Sequence, residues 1–376
     1  MSGSRWMRGM VTCALLAFAI TACSSSGSKH DDDSSSASIS AESASTSASA
    51  GLALAWERSN FSGSDIIGLH ADGDLVYVQT RDNAIHALGA DGVHRWVSRE
   101  LNGKVTWAPA SNGWGVAFLA GSDLYVIDRA YGNLTLKKRL PFPPSTDPVM
   151  SDSTLYISSF VENRIHTVDL DTGLAGWSYR TAEGCTAAPV IVGKAPKQTV
   201  YFAGLDGEVM ALPAIAASGY APDGAAWRSR AYDSNTADLV TDGSSHVLCA
   251  SEDSKLYAFD RITGDTRWTF PSGTSLESSP VVGGGAVYQR VGDHLHAIDL
   301  GTGAVKWQFE HELDDDSWVA AGDDYLYISC HDGLHSVDAA TGKINRSYDV
   351  DMGDHAAAFA GLLVVGEDSH LKALRF

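Results

Sequence analysis

The chain has 376 residues, of which 44% are hydrophobic and 19% charged, enough apolar content for a sizeable core. Its formal net charge of −19 argues against nucleic-acid binding, which needs clustered Lys and Arg, and against a polybasic contact with a membrane surface. Frequent Gly (37) and Trp (10) fit a fold of many short strands joined by tight turns.

In chain order, Arg5 and Arg8 precede an apolar run from Met10 to Ile20 that ends in Ile20-Thr21-Ala22-Cys23. The run is shorter than the roughly 20 residues a membrane-spanning helix needs, and its flanks are those of a secretory signal. The last four residues resemble a bacterial lipobox, so residues 1–22 are expected to be removed and Cys23 lipidated. Residues 23–50 are rich in Ser and Ala and carry Asp31-Asp32-Asp33, with almost no large apolar side chain. Such a segment buries too little surface to fold and reads as a flexible tether of about 30 Å root-mean-square span.

The remainder, 51–376, is repetitive. Asp169-Leu170-Asp171-Thr172-Gly173 is followed by Trp177, Asp260-Arg261-Ile262-Thr263-Gly264 by Trp268, and Asp299-Leu300-Gly301-Thr302-Gly303 by Trp307. Asp338-Ala339-Ala340-Thr341-Gly342 ends instead in Arg346, and weaker copies lie at Gly92/Trp96, Gly132/Leu136 and Gly224/Trp227. Asp and Thr satisfy turn backbone groups and Gly takes a positive-φ position, while the Trp falls on the next strand. The marked positions Trp56, Trp96, Leu136, Trp177, Trp227, Trp268, Trp307 and Arg346 step by 39 to 41 residues, with one step of 50. About twelve residues after each comes a second mark: Gly68, Pro109, Pro148, Pro189, Leu239, Pro280, Val319 and Ala358. A period near 40 with four short strands per unit predicts an all-β, single eight-bladed β-propeller. The last strand, Leu371 to Leu374, matches a third strand, and Trp56 sits on a fourth strand with no blade before it. The N-terminal strand is therefore expected to complete the last blade and close the ring.

The Ala-x-Asp-x-x-Thr-Gly-x-x-x-Trp pattern resembles the PQQ-like repeat family over Gly51 to Phe376. That family spans quinoprotein dehydrogenases, the BamB lipoproteins of outer-membrane protein assembly, and non-catalytic binding modules. The resemblance implies a propeller; it does not by itself imply an activity. The dehydrogenases typically carry an adjacent Cys-Cys pair and decorated blades; this chain has no Cys-Cys and minimal blades, so no enzyme and no cofactor are expected. After Cys23, only Cys185, Cys249 and Cys330 remain, expected as largely buried thiols outside any disulfide.

On this register, the linkers from each outer strand to the next inner strand open on one face. The linker after Trp307 carries Glu310, His311, Glu312, Asp314, Asp315 and Asp316, and that after Arg346 carries Asp349, Asp351, Asp354 and His355. Across the ring, Lys137, Lys138 and Arg139 are expected in the linker after Leu136. A mouth with an acidic and a basic side suits docking of a partner, or of a hard cation on its acidic side, although no defined ligand spacing is present. The other linkers hold Arg58, Phe61, Arg99, Trp107, Arg180, Glu183, Arg228, Arg230 and Tyr232, a composition common in contact hot spots; Trp107 equally suits a plug of the central channel. A ring of acids at the second-to-third-strand turns (Asp82, Asp123, Glu162, Asp206, Asp253, Asp293, Asp332, Asp368) is either a cation collar or, more simply, ordinary turn chemistry. The expected function is that of a monomeric, lipid-anchored extracytoplasmic scaffold that binds another envelope protein or polymer, with no metal. A BamB-like assembly role is the alternative, and a PQQ-dependent oxidoreductase the second.

Overall fold

The computed structural model describes residues 53–375 except 60, 62, 195–196, 216–218, 220–221, 223, 315–316, 322–323, 331–332 and 349–354. The described residues form 32 strands in eight four-stranded antiparallel sheets, each a blade of one β-propeller. Seven blades are continuous in sequence, their four strands pairing in chain order. The eighth consists of β30 (His355–Phe359), β31 (Leu362–Glu367) and β32 (His370–Arg375), with β1 (Ala53–Ser59) as its outer strand. β1 runs antiparallel to β32, with Leu54 opposite Leu374 and Trp56 opposite Ala373 across a bulge at Ala55. The N-terminal strand thus closes the ring, as its orphaned Trp56 predicts.

Six of the eight inner strands have only two or three residues, and four of these begin directly after a proline. Pro109, Pro148, Pro189 and Pro280 precede β6 (Ala110–Ser111), β10 (Val149–Ser151), β14 (Val190–Val192) and β22 (Val281–Gly283). Proline lacks a donor and biases the residue before it toward extended backbone, so it suits the point where a linker enters a strand.

The core is divided among the eight blade interfaces, each filled by one cluster of buried apolar side chains. In four blades a buried second-strand Tyr lies against the outer-strand Trp: Tyr77–Trp96, Tyr156–Trp177, Tyr201–Trp227 and Tyr288–Trp307, with ring centroids 5.7–5.9 Å apart.

The repeated turn does two jobs. Within its blade, the first Asp closes the turn: Asp169 Oδ1 accepts hydrogen bonds from the Thr172 N–H and hydroxyl, as do Asp299 from Thr302 and Asp338 from Thr341. Between blades, the indole of the preceding blade lies on the turn glycine and donates to a turn carbonyl. Trp56 Nε1 donates to Ala90 O (2.8 Å), Trp96 to Arg129 O (2.8 Å), Trp227 to Arg261 O (3.0 Å), Trp268 to Leu300 O (2.9 Å) and Trp307 to Ala339 O (3.1 Å). At Gly303 (φ 74°) a Cβ would come 2.7 Å from the Trp268 ring, so both backbone and packing require glycine there. At these five turns one copy of the motif locks two blades.

Candidate binding face

Strand direction divides the molecule into two faces. The turn face carries the Asp-x-x-Thr-Gly turns and the first-to-second-strand turns; the linker face carries the blade-to-blade linkers and the second-to-third-strand turns. The sequence-derived candidates among the described residues fall on the linker face or beside it.

The linker between blades six and seven runs from β25 (Val305–Gln308) to β26 (Val319–Ala321) and is pinned from below. Phe309 and Leu313 are buried in the interface, Leu313 N–H donates to Asp293 O, and Arg290 donates to Asp314 O at 2.7 Å. Glu310, Glu312 and Asp314 are exposed, and Asp314 Oδ1 accepts the Ser317 hydroxyl at 2.7 Å. Asp315, Asp316, Asp349, Asp351 and Asp354 lie outside the described residues. Among the described residues no three His, Cys, Asp or Glu side chains converge as metal ligands.

The basic side of the mouth is displaced from its expected place. Lys137, Lys138 and Arg139 belong to the outer strand β9 (Leu134–Arg139), because pairing continues to Arg139 opposite Asp123 instead of ending at Leu136. They therefore line the rim of blade two. Lys137 Nζ lies 5.1 Å from the Tyr125 ring centre, Arg139 is 3.7 Å from Asp123, and the Lys138 stem lies beside Gly173 of blade three. Phe61 is also corrected: at 2% exposure it is a core side chain of the seam between blades eight and one. Trp107 is half-buried against the cluster between blades two and three.

Turn acids are largely committed locally. Asp82 pairs with Arg99 (2.6 Å) and accepts the Thr80 hydroxyl, which holds its carboxyl down to about 2. Glu162 lies 3.1 Å from His166, Asp206 accepts the Glu208 N–H, and Asp253 accepts from Lys255 and Tyr257. Turn chemistry accounts for these residues; Asp332 lies outside the described set. Cys185 and Cys249 are buried and Cys330 half-buried; burial pushes the Cys185 thiol up to about 12.

Two features of this face escape a reading of the sequence alone. The first is a set of clasps at the channel mouth, just ahead of the inner strands. Asp147 Oδ1 accepts the Ala108 N–H (2.8 Å), Asp238 Oδ1 the Ala188 N–H (2.7 Å), and Ser279 Oγ the Asp238 N–H (2.9 Å). Each joins the linker into one blade to the linker into the next. Burial pushes the Asp147 carboxyl up to about 7; the Ala108 N–H opposes this and the Asp238 charge adds to it. The partners lie 39 to 50 residues apart, and half of each pair is backbone, so side-chain pattern carries no trace of them.

The second is an apolar sector. Among the described residues, Phe160 (47%), Val161 (73%) and Tyr232 (76%) are large apolar side chains exposed on the linker face. They stand at blade three and at the linker between blades four and five, and a chain of contacts joins the two places. Phe160 lies on Gly184 in the linker between blades three and four, and Gly184 O accepts the Leu205 N–H. Gly207 lies against Ala231 O, beside Tyr232. Lys255 Nζ sits 5.7 Å from the Tyr232 ring centre and 3.1 Å from Asp253, backing the exposed ring with a fixed charge. Nearby, Arg228 pairs with Glu208 and bonds the Tyr179 hydroxyl, beside a shallow polar cavity of about 270 Å³ that Arg230 also lines. Tyr232 is visible in the sequence as a linker aromatic. The signal for Phe160-Val161 is a pair of large apolar residues in a hairpin turn, where polar residues are the rule.

In sequence, the chain matches the family described as "Outer membrane protein assembly factor BamB" over residues 81–219 and 214–371. No protein of curated function matches it significantly. Among solved structures it is similar to BamB from Moraxella catarrhalis, with a TM-score of 0.69 at 17% identity, covering 87% of this chain and 98% of that one. It is also similar to the computationally designed Ika8 protein, with a TM-score of 0.65 at 16% identity, covering 87% and 99%. At these identities the structural likeness speaks for the eight-bladed fold. With its repeats matched across most of the propeller, the chain belongs to the PQQ-repeat family of the outer membrane protein assembly factor BamB.

Proposed function

We propose that this protein is a non-catalytic scaffold of the cell envelope that docks another envelope protein through its linker face, centred on the sector from blade three to blade five. The observation that carries this reading is the exposure of Phe160, Val161 and Tyr232 on that face, with Arg230 and Lys255 near Tyr232. Exposed aromatic and aliphatic anchors ringed by charge are what protein interfaces use as contact centres. The acidic linker with Glu310, Glu312 and Asp314, between blades six and seven, then acts as a steering charge farther round the ring rather than as the contact centre.

Family membership favours the assembly of outer-membrane proteins as the setting. Lipidation at Cys23 after removal of 1–22, with 23–50 as the tether, would hold the head at a membrane while leaving it free to search. A monomeric head, with no metal and no cofactor, is the form this reading uses. The test is affinity capture of the full chain from its own cells, comparing wild type with Val161→Glu, Tyr232→Glu and, on the opposite face, Tyr131→Glu. The first two changes are expected to lose one envelope partner and the third to keep it. Equal capture by all three removes the sector from the account. Purified protein that reduces a dye with added PQQ would overturn the non-catalytic reading.

A further inference from the structure

We propose that the seam where the ring closes is acid-sensitive: protonation of His86 and His94, beside Arg58 and Arg99, loosens the N-terminal strand while the other blade interfaces hold.

The seam differs from the other interfaces in its covalent structure. Every other outer strand follows the third strand of its own blade in the chain, whereas β1 is held to β32 by pairing alone. Its additional grips reach into blade one: Trp56 Nε1 donates to Ala90 O and Arg58 Nε to Gly92 O, both at 2.8 Å. Between β1 and β2 (Ile66–Asp72), Phe61 anchors the linker. Its ring meets His86 edge-on at 5.1 Å and His94 at 5.7 Å, and the two imidazoles are 5.2 Å apart.

His86 is 3% exposed, and neither ring nitrogen has a hydrogen-bond partner. It lies on β4 (Ile85–Gly89), three residues before the turn. The same place in the other blades holds Tyr125, His166, Met210, Tyr257, His296, His335 and, in blade eight, Lys372, so the fold asks there for bulk and not for an imidazole. The other histidines at this place are better provided for or face an interface between two blades that are each continuous in the chain. His166 has Glu162 at 3.1 Å, and His335 Nδ1 is 2.9 Å from Ser347 Oγ.

The charged groups around the seam make protonation costly. His86 faces His94, Arg99 and Asp82, and His94 faces Arg58. Asp82 is already paired with Arg99, and Asp65 of the linker with Arg81 at 3.0 Å. Protonation would therefore place two imidazolium ions among two guanidinium groups with no unpaired carboxylate facing them among these groups. In support, burial, with His94 and Arg99 adding to it, holds His86 down to about 4, and burial followed by Arg58 lowers His94. A pKa lowered in the closed state contributes stability that is full above the ordinary 6.5 and lost as pH falls toward 4. If opening the seam exposes His86, its opening equilibrium at pH 5 rises roughly 30-fold over that at neutral pH.

The test is hydrogen exchange of the full chain at pH 7.5 and 5.0, corrected for intrinsic rates, read on β1 and on β21 (Thr266–Pro271) of blade five, whose equivalent residue is Tyr257. The expected result is a roughly 30-fold loss of protection in β1 at pH 5.0 with β21 unchanged, sharply reduced in His86→Met and His86→Tyr. Both substitutions place a residue the fold already accepts at that position, as Met210 and Tyr125 show. Parallel loss in β1 and β21, or an unchanged loss in both variants, overturns the proposal. Neither outcome bears on the binding face.

Discussion

Gly303→Ala is the sharpest probe of how the ring is held together. Gly303 has φ 74°, and an added Cβ would meet the Trp268 ring at 2.7 Å. Two costs follow: about 1–2 kcal/mol for a left-handed alanine, and about 1–3 kcal/mol for forcing atoms into a filled interface. Gly243 supplies the control, because its φ is 73° but nothing lies within 4 Å of the Cβ position. Gly243→Ala should therefore cost only the backbone share, about 1–2 kcal/mol, against about 2–5 kcal/mol for Gly303→Ala. Thermal and urea unfolding of the purified chain, followed by tryptophan fluorescence, measures both. Equal losses would refute the claim that Gly303 and the four turn glycines like it are docking surfaces for the indole of the preceding blade.

Trp268→Ala should destabilise by about 3–5 kcal/mol and Trp268→Leu by less, since Leu136 occupies the same position in blade two; urea midpoints check the order. Asp147→Asn should stabilise the protein at pH 8. A carboxyl raised to about 7 in the fold contributes stability that is present below its unfolded 3.8 and is lost as pH rises through 7. The gap corresponds to about 4 kcal/mol at most, and the amide oxygen can still accept the Ala108 N–H. Melting temperatures at pH 5 and pH 8 should converge in the variant, and an unchanged pH profile would contradict the assignment. Arg290→Ala should raise hydrogen exchange around Leu313 and Asp314, whose carbonyls it holds, without altering that of blade three.

Much of the fold is legible in the sequence, because the same residues perform the local and the long-range task. Asp299 and Thr302 close a turn, and the glycine beside them receives Trp268, so one motif reports both the hairpin and the blade interface. The prolines keep phase since each marks the entry to an inner strand, and Trp56 reveals the closure because a fourth strand needs three others. The site was less visible. Lys137 to Arg139 read as a linker because the repeat marks where an outer strand starts and not where its pairing ends. Phe61 reads as a surface aromatic until His86 and His94 are seen to enclose it. The Asp147 and Asp238 clasps bind backbone N–H groups of other blades, which no residue pattern encodes.

The central claim is that blades three to five of the linker face meet an envelope partner. Photo-crosslinking in the native cell, with a reactive residue placed singly at Val161, Tyr232 or Tyr131 of the full chain, addresses it most directly. Positions 161 and 232 are expected to yield the same adduct, containing a component of outer-membrane protein assembly or its barrel substrate, while Tyr131 on the turn face yields none. An adduct from position 131 alone, or none from 161 and 232 where the protein is abundant, would contradict the account.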